Sequence, residues 1–588
     1  MPLKKLLFFI CLLWLSPSLQ AQPFYFRNLQ VEDGLSNNTV FCSTKDEHGF
    51  LWFGTRDGLN RFDGYNFQTF RNNSAETLVG NNLIHSIFSD AHDILWIGTS
   101  NGLYQFNIRT ESFTYLRGTK GMAIYDVEVD KEGSVWFLDK FEPHQLIRNG
   151  KDYALNTVKL NFNASTMALD RDKGILMATA DGLLQTYDYH KRRFDSQVVL
   201  KVPNKLNSKY ISKVHPLNNT ELLIGTMSSG LLHFNKVTRE LKPLISYSQD
   251  HTGIFVRDIL ELKPHEFWIS TESGIYVYQA LTGKILNFRK EYGNPYSLTD
   301  NAIYPLLKDN DGGLWAGTYF GGINYYSSQY AAFIKYHPLP NKTNSLSGNA
   351  VREIKEDRYG NLWIGTEDAG LNKLNPKTGR FSHYLPDEAT GGLAYSNIQG
   401  LLVEGDKLWI GTFEHGIDVL DVSTGNLLKH YDTGQEGCGL RTNFVVNMLK
   451  TSEGKIYVAT VSGMHVYNPK TDNFDLIDEL PEIFYNCLIE DDDHGIWAGS
   501  VGEGLYHYQP QKHTYTNYRY EAGQKMSISN NVVNSLFLDK KRQLWVATDG
   551  GGLCLFQRSD HTFRKFDTSD GFPSNYIFRV EQDAENRY

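Results

Sequence analysis

The chain has 588 residues, with 58 Lys and Arg against 67 Asp and Glu, a formal net charge of −9 and 13% aromatic residues. This acidic balance, with no basic run after the first few residues, argues against a nucleic-acid groove or an anionic membrane surface as the partner. The length excludes a single small core and predicts two large domains.

In chain order, Lys4 and Lys5 precede an apolar run from Leu6 to Leu15, which Ser16-Pro17-Ser18-Leu19-Gln20-Ala21 closes. That is the pattern of a secretory signal over residues 1–21, cut before Gln22, and it predicts an exported chain. No later stretch has the roughly 18 apolar residues of a membrane-spanning helix. Cys11 lies within the signal. Cys42, Cys438, Cys487 and Cys554 fall in separate segments without metal-ligand spacing and are read as small buried residues.

The remainder is repetitive. Leu51-Trp52-Phe53-Gly54-Thr55-Arg56-Asp57-Gly58-Leu59 reads as a hairpin, with residues that suit a strand covered on both faces and Gly58 for the positive φ of a tight turn. Gly54, inside a strand, predicts a neighbour packed where its Cβ would sit. Copies centre on Trp96, Trp315, Trp363 and Trp409, and weaker ones on Trp136, Leu176, Leu223, Trp268, Tyr457, Trp497 and Trp545. A period in the forties with aromatic and Gly signals is the mark of a four-stranded propeller blade.

Each repeat has four parts. An inner strand opens with a motif such as Asn38-Thr39-Val40 or Asn349-Ala350-Val351, and an Asp/Gly turn such as Asp46-Glu47-His48-Gly49 follows. The Trp strand, the strand after its Gly turn and a short aromatic strand such as Phe67-Gln68-Thr69-Phe70 complete the blade. The buried indole N–H needs an acceptor, expected from an adjacent blade. Repeats near residues 136, 176 and 223 depart most from the pattern, through drift in a tolerant fold or through loops altered around a ligand.

No motif carries an obvious chemistry. Glu490 to Asp493 with His494 invites a metal, but the same turn recurs along the chain and lacks the spacing of a calcium loop, so no metal and no cofactor are expected. There is no HExxH, no GxSxG and no phosphate-cradling glycine loop in the right context.

Taken together, these residues resemble the two-component regulator propeller repeats of Bacteroidetes hybrid two-component sensors. The opening Leu29-Gln30-Val31-Glu32-Asp33-Gly34-Leu35-Ser36-Asn37-Asn38, followed by the segment from Leu51 to Gly64, is similar to that family's N-terminal signature. The resemblance implies two seven-bladed propellers outside the cytoplasm that detect oligosaccharides. It also implies a following Ig-like domain, a membrane span, a histidine kinase core, and receiver and DNA-binding modules. This chain has no phospho-acceptor helix and no ATP-binding glycine motif, so it is not expected to be an enzyme itself.

The expected fold is all-β: two consecutive β-propellers of four-stranded blades, the first seven-bladed over 22–331, the second incomplete over 332–588 with blades 8–12 and the start of blade 13. Residues 24–29 are expected to pair with the seventh blade, and 333–336 to play the same part for the second ring. Asp583-Ala584-Glu585-Asn586-Arg587-Tyr588 aligns with Asp46 to Leu51, which predicts that the natural protein continues.

The expected function is ligand sensing, with a periplasmic oligosaccharide, the C-terminal Ig-like, membrane and kinase modules of a longer parent and a second copy of the chain as partners, and no nucleic acid. A secreted propeller enzyme acting on glycans and a structural interaction module remain as alternatives. Turns after the Gly-Thr strands share one face, which collects Arg56, Asp57, Tyr319, Phe320, Glu367, Asp368, Phe413, Glu414, His415 and Asp549. Sugar sites combine aromatic planes with charged or amide groups, so Tyr319, Phe320, Arg352, Phe413, His415 and Glu367 are the candidate ligand contacts. Tyr319, Phe320, Arg352 and Phe413 are favoured because they flank the join between the rings. His85, Tyr304, Arg352 and Asn534, next after the Val or Ile of their inner strands, are placed at the channel mouth.

Overall fold

The computed structural model describes residues 24–72, 82–90, 92–149, 152–156, 160–200, 209–327, 334–340, 342–387, 392–524, 526–583 and 585–588. The signal predicted over residues 1–21 lies outside them. The protein is all-β, and the chain divides into two compact units, Met1–Ile334 and Lys335–Tyr588. Among the described residues the first unit holds seven four-stranded antiparallel sheets and the second holds five.

Blade 1 (residues 40–70) shows why the repeat folds as it does. Its strands are Val40–Lys45, Leu51–Thr55, Gly58–Phe62 and Phe67–Phe70, paired in that order. Thr55 is fully buried because its hydroxyl locks the hairpin: Oγ1 donates to the Gly58 carbonyl at 3.0 Å and accepts from the Asp57 N–H at 3.0 Å. Gly58 sits at φ 113°, a conformation that only glycine adopts freely.

The Asp turn carries the aromatic core. Asp46 Oδ1 accepts from the His48 and Phe50 N–H groups at 3.0 and 2.9 Å, and Oδ2 accepts from the Trp52 indole at 2.8 Å. Sequence reasoning placed the indole's acceptor in an adjacent blade. The structure corrects this, for the turn brings the carboxylate of the same repeat, six residues earlier, under the indole. Trp96, Trp136, Trp315, Trp363, Trp497 and Trp545 use Asp90, Asp130, Asp309, Asp357, Asp491 and Asp539 in the same way. The adjacent blade supplies the apolar cover instead, and Trp52 packs with Ile84, Leu95, Ile97 and Phe106 of blade 2. Burial of this kind contributes roughly 1.5–3 kcal/mol per large side chain.

Gly54 answers to a neighbour, as the sequence suggested. A Cβ there would stand 2.6 Å from Ile84 Cγ2, at the start of the next inner strand, and one on Gly317 of blade 7 would stand 2.8 Å from Val40 Cγ1 of blade 1. Glycine in the Trp strand and a β-branched residue at the head of the next inner strand are one steric device. The divergent third repeat inverts it, since Leu138 replaces the glycine and Ala164 replaces the branched residue, both buried in one cluster. Sequence drift there preserves the packed volume.

In the first unit the inner strands adjoin one another in the cyclic order of blades 1 to 7, and the seventh adjoins the first. Phe26–Leu29 pairs antiparallel with Ile323–Tyr326, so an N-terminal strand completes the last blade. For the matching expectation at 333–336, residue 333 lies outside the described residues, and 334–336 carry no strand. In the second unit the five sheets run from residue 351 to residue 566, and the expected Asp turn follows at Asp583. Its Oδ1 accepts from the Glu585 and Arg587 N–H groups at 2.9 and 2.8 Å, as Asp46 does in blade 1. Cys438, Cys487 and Cys554 are buried thiols.

Candidate functional site

In blades 1, 2, 3, 5, 6 and 7 the inner strand opens with a β-bulge. A bulge leaves one residue out of the ladder and re-aims its side chain. The residues so freed are Phe41, His85, Tyr125, Ser212, Arg257 and Tyr304. Because the inner strands form a cycle, these side chains gather at one mouth of it.

Most of them are in contact. His85 stacks on Tyr125 at 4.4 Å, and Phe41 lies 5.9 Å from both His85 and Tyr304. Tyr304 stacks on Tyr319 at 5.7 Å, and Tyr319 meets the edge of Phe320 at 4.5 Å. Arg257 lies over Phe255 and Tyr304, 3.8 and 4.6 Å from their centroids, and its Nε donates to Glu272 at 2.7 Å. Tyr125 is 52% exposed and Phe320 70% exposed. The result is a connected, partly open aromatic surface with an Arg–Glu pair on it. Burial pushes the His85 imidazole down and the Tyr304 phenol up, so both present neutral polar edges.

The sequence-predicted residues divide between the units. Tyr319 and Phe320 belong to the aromatic surface just described, as do His85 and Tyr304. In the second unit Arg352 donates from Nε to Gln399 at 3.1 Å and pairs with Glu367 at 3.4 Å. Phe413 packs on Phe444 at 4.4 Å, and Phe444 lies 5.9 Å from Phe484. His415 stacks on Tyr395 at 4.2 Å. The Asn534 amide donates to the Ile577 carbonyl at 3.0 Å, so it ties the end of the chain to its inner strand.

Sequence reasoning missed Phe41, Tyr125 and Arg257. Phe41 follows Asn38-Thr39-Val40 and carries the signal that found His85. Tyr125 and Arg257 follow Ile124 and Val256 without the leading Asn, and only the bulge reveals them.

Among the described residues two groups of side chains have metal-like proximity, Glu47 with His48 and Asp93, and Asp491 with Asp493 and His507. In each the buried carboxylate already faces a guanidinium: Arg109 on Asp93 at 2.5 Å, and Arg558 on Asp491 at 2.6 Å. The Glu490–His494 turn is tied to Ser452, whose hydroxyl bonds Glu490 at 2.7 Å. These donor sets are spent on ion pairs and turns.

Cyclically packed four-stranded antiparallel sheets, as in the first unit, define a β-propeller fold. Residues 34–57, 297–320, 345–368 and 527–550 match the family model for the two component regulator propeller. A crystal structure described as the extracellular domain of a hybrid two component system from B. thetaiotaomicron shares the fold. It covers 96% of this chain and 81% of that one, with a TM-score of 0.62 and 23% identity. A second extracellular domain from the same organism, described as that of a one component system, covers 92% of this chain and 79% of its own at 21% identity, with a TM-score of 0.45. A 59-residue stretch is 46% identical to Histidine kinase P4 of Formosa agariphila, covering 10% of this chain and 4% of that kinase. No helix among the described residues is long and apolar enough to cross a membrane.

Proposed function

We propose that this chain is the periplasmic ligand-sensing region of a hybrid two-component receptor, and that it binds an oligosaccharide without transforming it. On this reading the first unit is a complete seven-bladed propeller. The second comprises five complete blades and the opening of another, and the Ig-like, membrane and kinase modules belong to the parent receptor. The observation that carries the reading is the connected aromatic surface from Tyr125 through His85, Phe41, Tyr304 and Tyr319 to Phe320. Flat, partly exposed rings flanked by neutral hydroxyl and imidazole edges suit the C–H faces and hydroxyl groups of pyranose rings. Similarity to sensor extracellular domains supports the same reading.

The test is a thermal-shift and calorimetric screen of the chain against oligosaccharides of varied backbone. A ligand at 100 times its Kd stabilises a protein by roughly 2.7 kcal/mol, a shift easily seen. Binding lost in Tyr304→Ala, with no new product by chromatography, supports a sensor. Turnover of the bound glycan would make it an enzyme, and no stabilisation by any glycan would overturn the reading.

A further inference from the structure

The positions around the mouth of the first unit are not filled alike. Tyr125, His85, Phe41, Tyr304 and Arg257, from blades 3, 2, 1, 7 and 6, make one connected wall. At the equivalent positions blades 4 and 5 carry Ser165 and Ser212, and both hydroxyls turn back into the backbone. Ser165 Oγ donates to the Ala178 carbonyl at 3.1 Å, and Ser212 Oγ to the Val256 carbonyl at 2.7 Å. Built from these positions alone, the wall would stand open over blades 4 and 5.

Two aromatic side chains from other positions span the opening. Phe141 is at the tip of the blade 3 hairpin, between the paired residues Asp139 and Glu142. The same tip holds Asp57, Asn101 and Ser273 in blades 1, 2 and 6, so an aromatic ring there departs from ordinary turn chemistry. The Phe141 carbonyl accepts from the Ala164 N–H at 2.8 Å, which holds the tip against the start of blade 4. Its ring is 46% exposed and meets the edge of Tyr210 at 6.3 Å. Tyr210 comes just before the blade 5 inner strand Ile211–Pro216, and its carbonyl accepts from the Met227 N–H at 3.0 Å. Burial pushes the Tyr210 phenol up and the Arg257 charge opposes it, so Tyr210 also stands near Arg257 of blade 6. The wall therefore runs right round, from blade 3 through blades 2, 1, 7, 6 and 5 and back to blade 3.

The floor is ionic. Asp126, Lys213 and Asp258 each follow a wall position by one residue, about 3.3 Å deeper along the inner strand. Asp126 Oδ2 accepts from the Met167 N–H of blade 4 at 2.8 Å, and Asp258 Oδ2 accepts from the Leu306 N–H of blade 7 at 3.0 Å. Lys213 Nζ pairs with Asp258 Oδ1 at 3.0 Å. Asp258 first, and then Asp126, raise the Lys213 ammonium against burial, so the network reaches from blade 3 to blade 7. It sets two carboxylates against one ammonium.

We propose that the mouth of the first unit is a cup that takes the terminal sugar of a neutral oligosaccharide end-on. The proposal rests on the oligosaccharide reading above and adds the mode of binding to it. A glycan held by its middle needs a groove open at both ends, whereas a closed wall over a charged floor admits a chain end and leaves the rest of the chain in solvent. A uronate end would bring another negative charge to a floor already in carboxylate excess. Burial and the Asp126 charge push the Glu128 carboxyl below that floor up to about 8, so this channel resists a further negative charge.

Titration calorimetry of the full chain tests the proposal with cello-, laminari- and mannohexaose. Each is used native, reduced to the alditol at its reducing end, or carrying an ethylidene cap at its non-reducing end. A hexaose that binds should bind about tenfold more weakly in one of the two modified forms and equally well in the other, which also identifies the end that enters. Phe141→Ala opens the wall over blade 4 at an exposed turn tip, so the fold should be kept while the weakened form regains affinity to within about threefold of the native one. Three results would overturn the proposal and leave the oligosaccharide reading standing: affinity unchanged by both modifications, unchanged selectivity in Phe141→Ala, or tighter binding of hexagalacturonate than of any neutral hexaose. No binding of any of these sugars would overturn both.

Discussion

A Cβ on Gly365 would stand 2.6 Å from Cγ2 of Ile398, the residue that opens the inner strand of the next blade. Real Cβ atoms do not approach that closely, so the glycine sets the distance between blades 8 and 9. Gly365→Ala should cost about 1–3 kcal/mol through overpacking. Ile398→Ala alone should cost about 2–5 kcal/mol through the cavity it leaves. The two are complementary in volume, as Leu138 and Ala164 are, so the double variant should be less destabilised than the sum. A denaturation cycle over the four proteins measures this, and simple additivity would show that the two sites do not meet.

Asp491 carries a second dependence. Burial opposes its ionised form, but the Arg558 guanidinium and the Trp497 indole outweigh that and hold its carboxyl at about 2. A carboxyl held below its usual value stabilises the fold above pH 3.8 and loses that contribution as pH falls toward about 2. Asp491→Ala leaves the buried Trp497 indole N–H without its acceptor and the exposed Arg558 guanidinium without its partner, at a cost of about 1–3 kcal/mol. Melting temperatures recorded between pH 5 and pH 2 should converge for the wild type and this variant at the acid end.

The repeat was legible because its signals are local. Trp52, Gly54, Thr55 and Gly58 lie within seven residues, and strand order follows from the hairpins they define. The close contact behind Gly54 was legible for the same reason, since a glycine inside a strand needs a neighbour. The acceptor of the Trp52 indole was misplaced, although an Asp such as Asp46 was visible in most of the turns, because sequence spacing does not show that the turn folds its carboxylate back under the ring. Tyr319 and Phe320 were found by their place after a Gly-Thr strand, whereas Phe41 and Arg257 meet Tyr304 only through the cycle of inner strands.

Glu128 runs opposite to Asp491. Burial, with the Asp126 carboxylate beside it, pushes its carboxyl up to about 8 in spite of Lys213. Lys213 is engaged by Asp258 at 3.0 Å, and His215 on the same strand is kept neutral by burial. The folded chain thus holds a proton on Glu128 that the unfolded chain releases near 4.5. Stability from this group is full below that value and falls as pH rises toward about 8. Glu128→Gln should match the wild type at pH 4 and melt higher at pH 9; equal melting temperatures at pH 9 would show that Glu128 is hydrated when ionised.

Tyr319 and Phe413 separate the two units as sites for a glycan. Tyr319 touches Tyr304, Phe41 and Phe320, so its removal breaks the aromatic surface in the middle, whereas Phe413 touches Phe444 at the edge of a smaller group. An aromatic stacking contact is worth about 0.5–1.5 kcal/mol beyond its buried area, so Tyr319→Ala should weaken oligosaccharide binding about two- to tenfold. Phe413→Ala should leave affinity unchanged if the first unit alone holds the ligand. Both residues lie at loop ends outside the blade cores, so the melting temperature of the free protein should hardly move. Calorimetry with one bound oligosaccharide reads both variants side by side. Wild-type affinity in Tyr319→Ala together with weakened affinity in Phe413→Ala would move the ligand to the second unit, where Arg352 and Glu367 already form a charged pair.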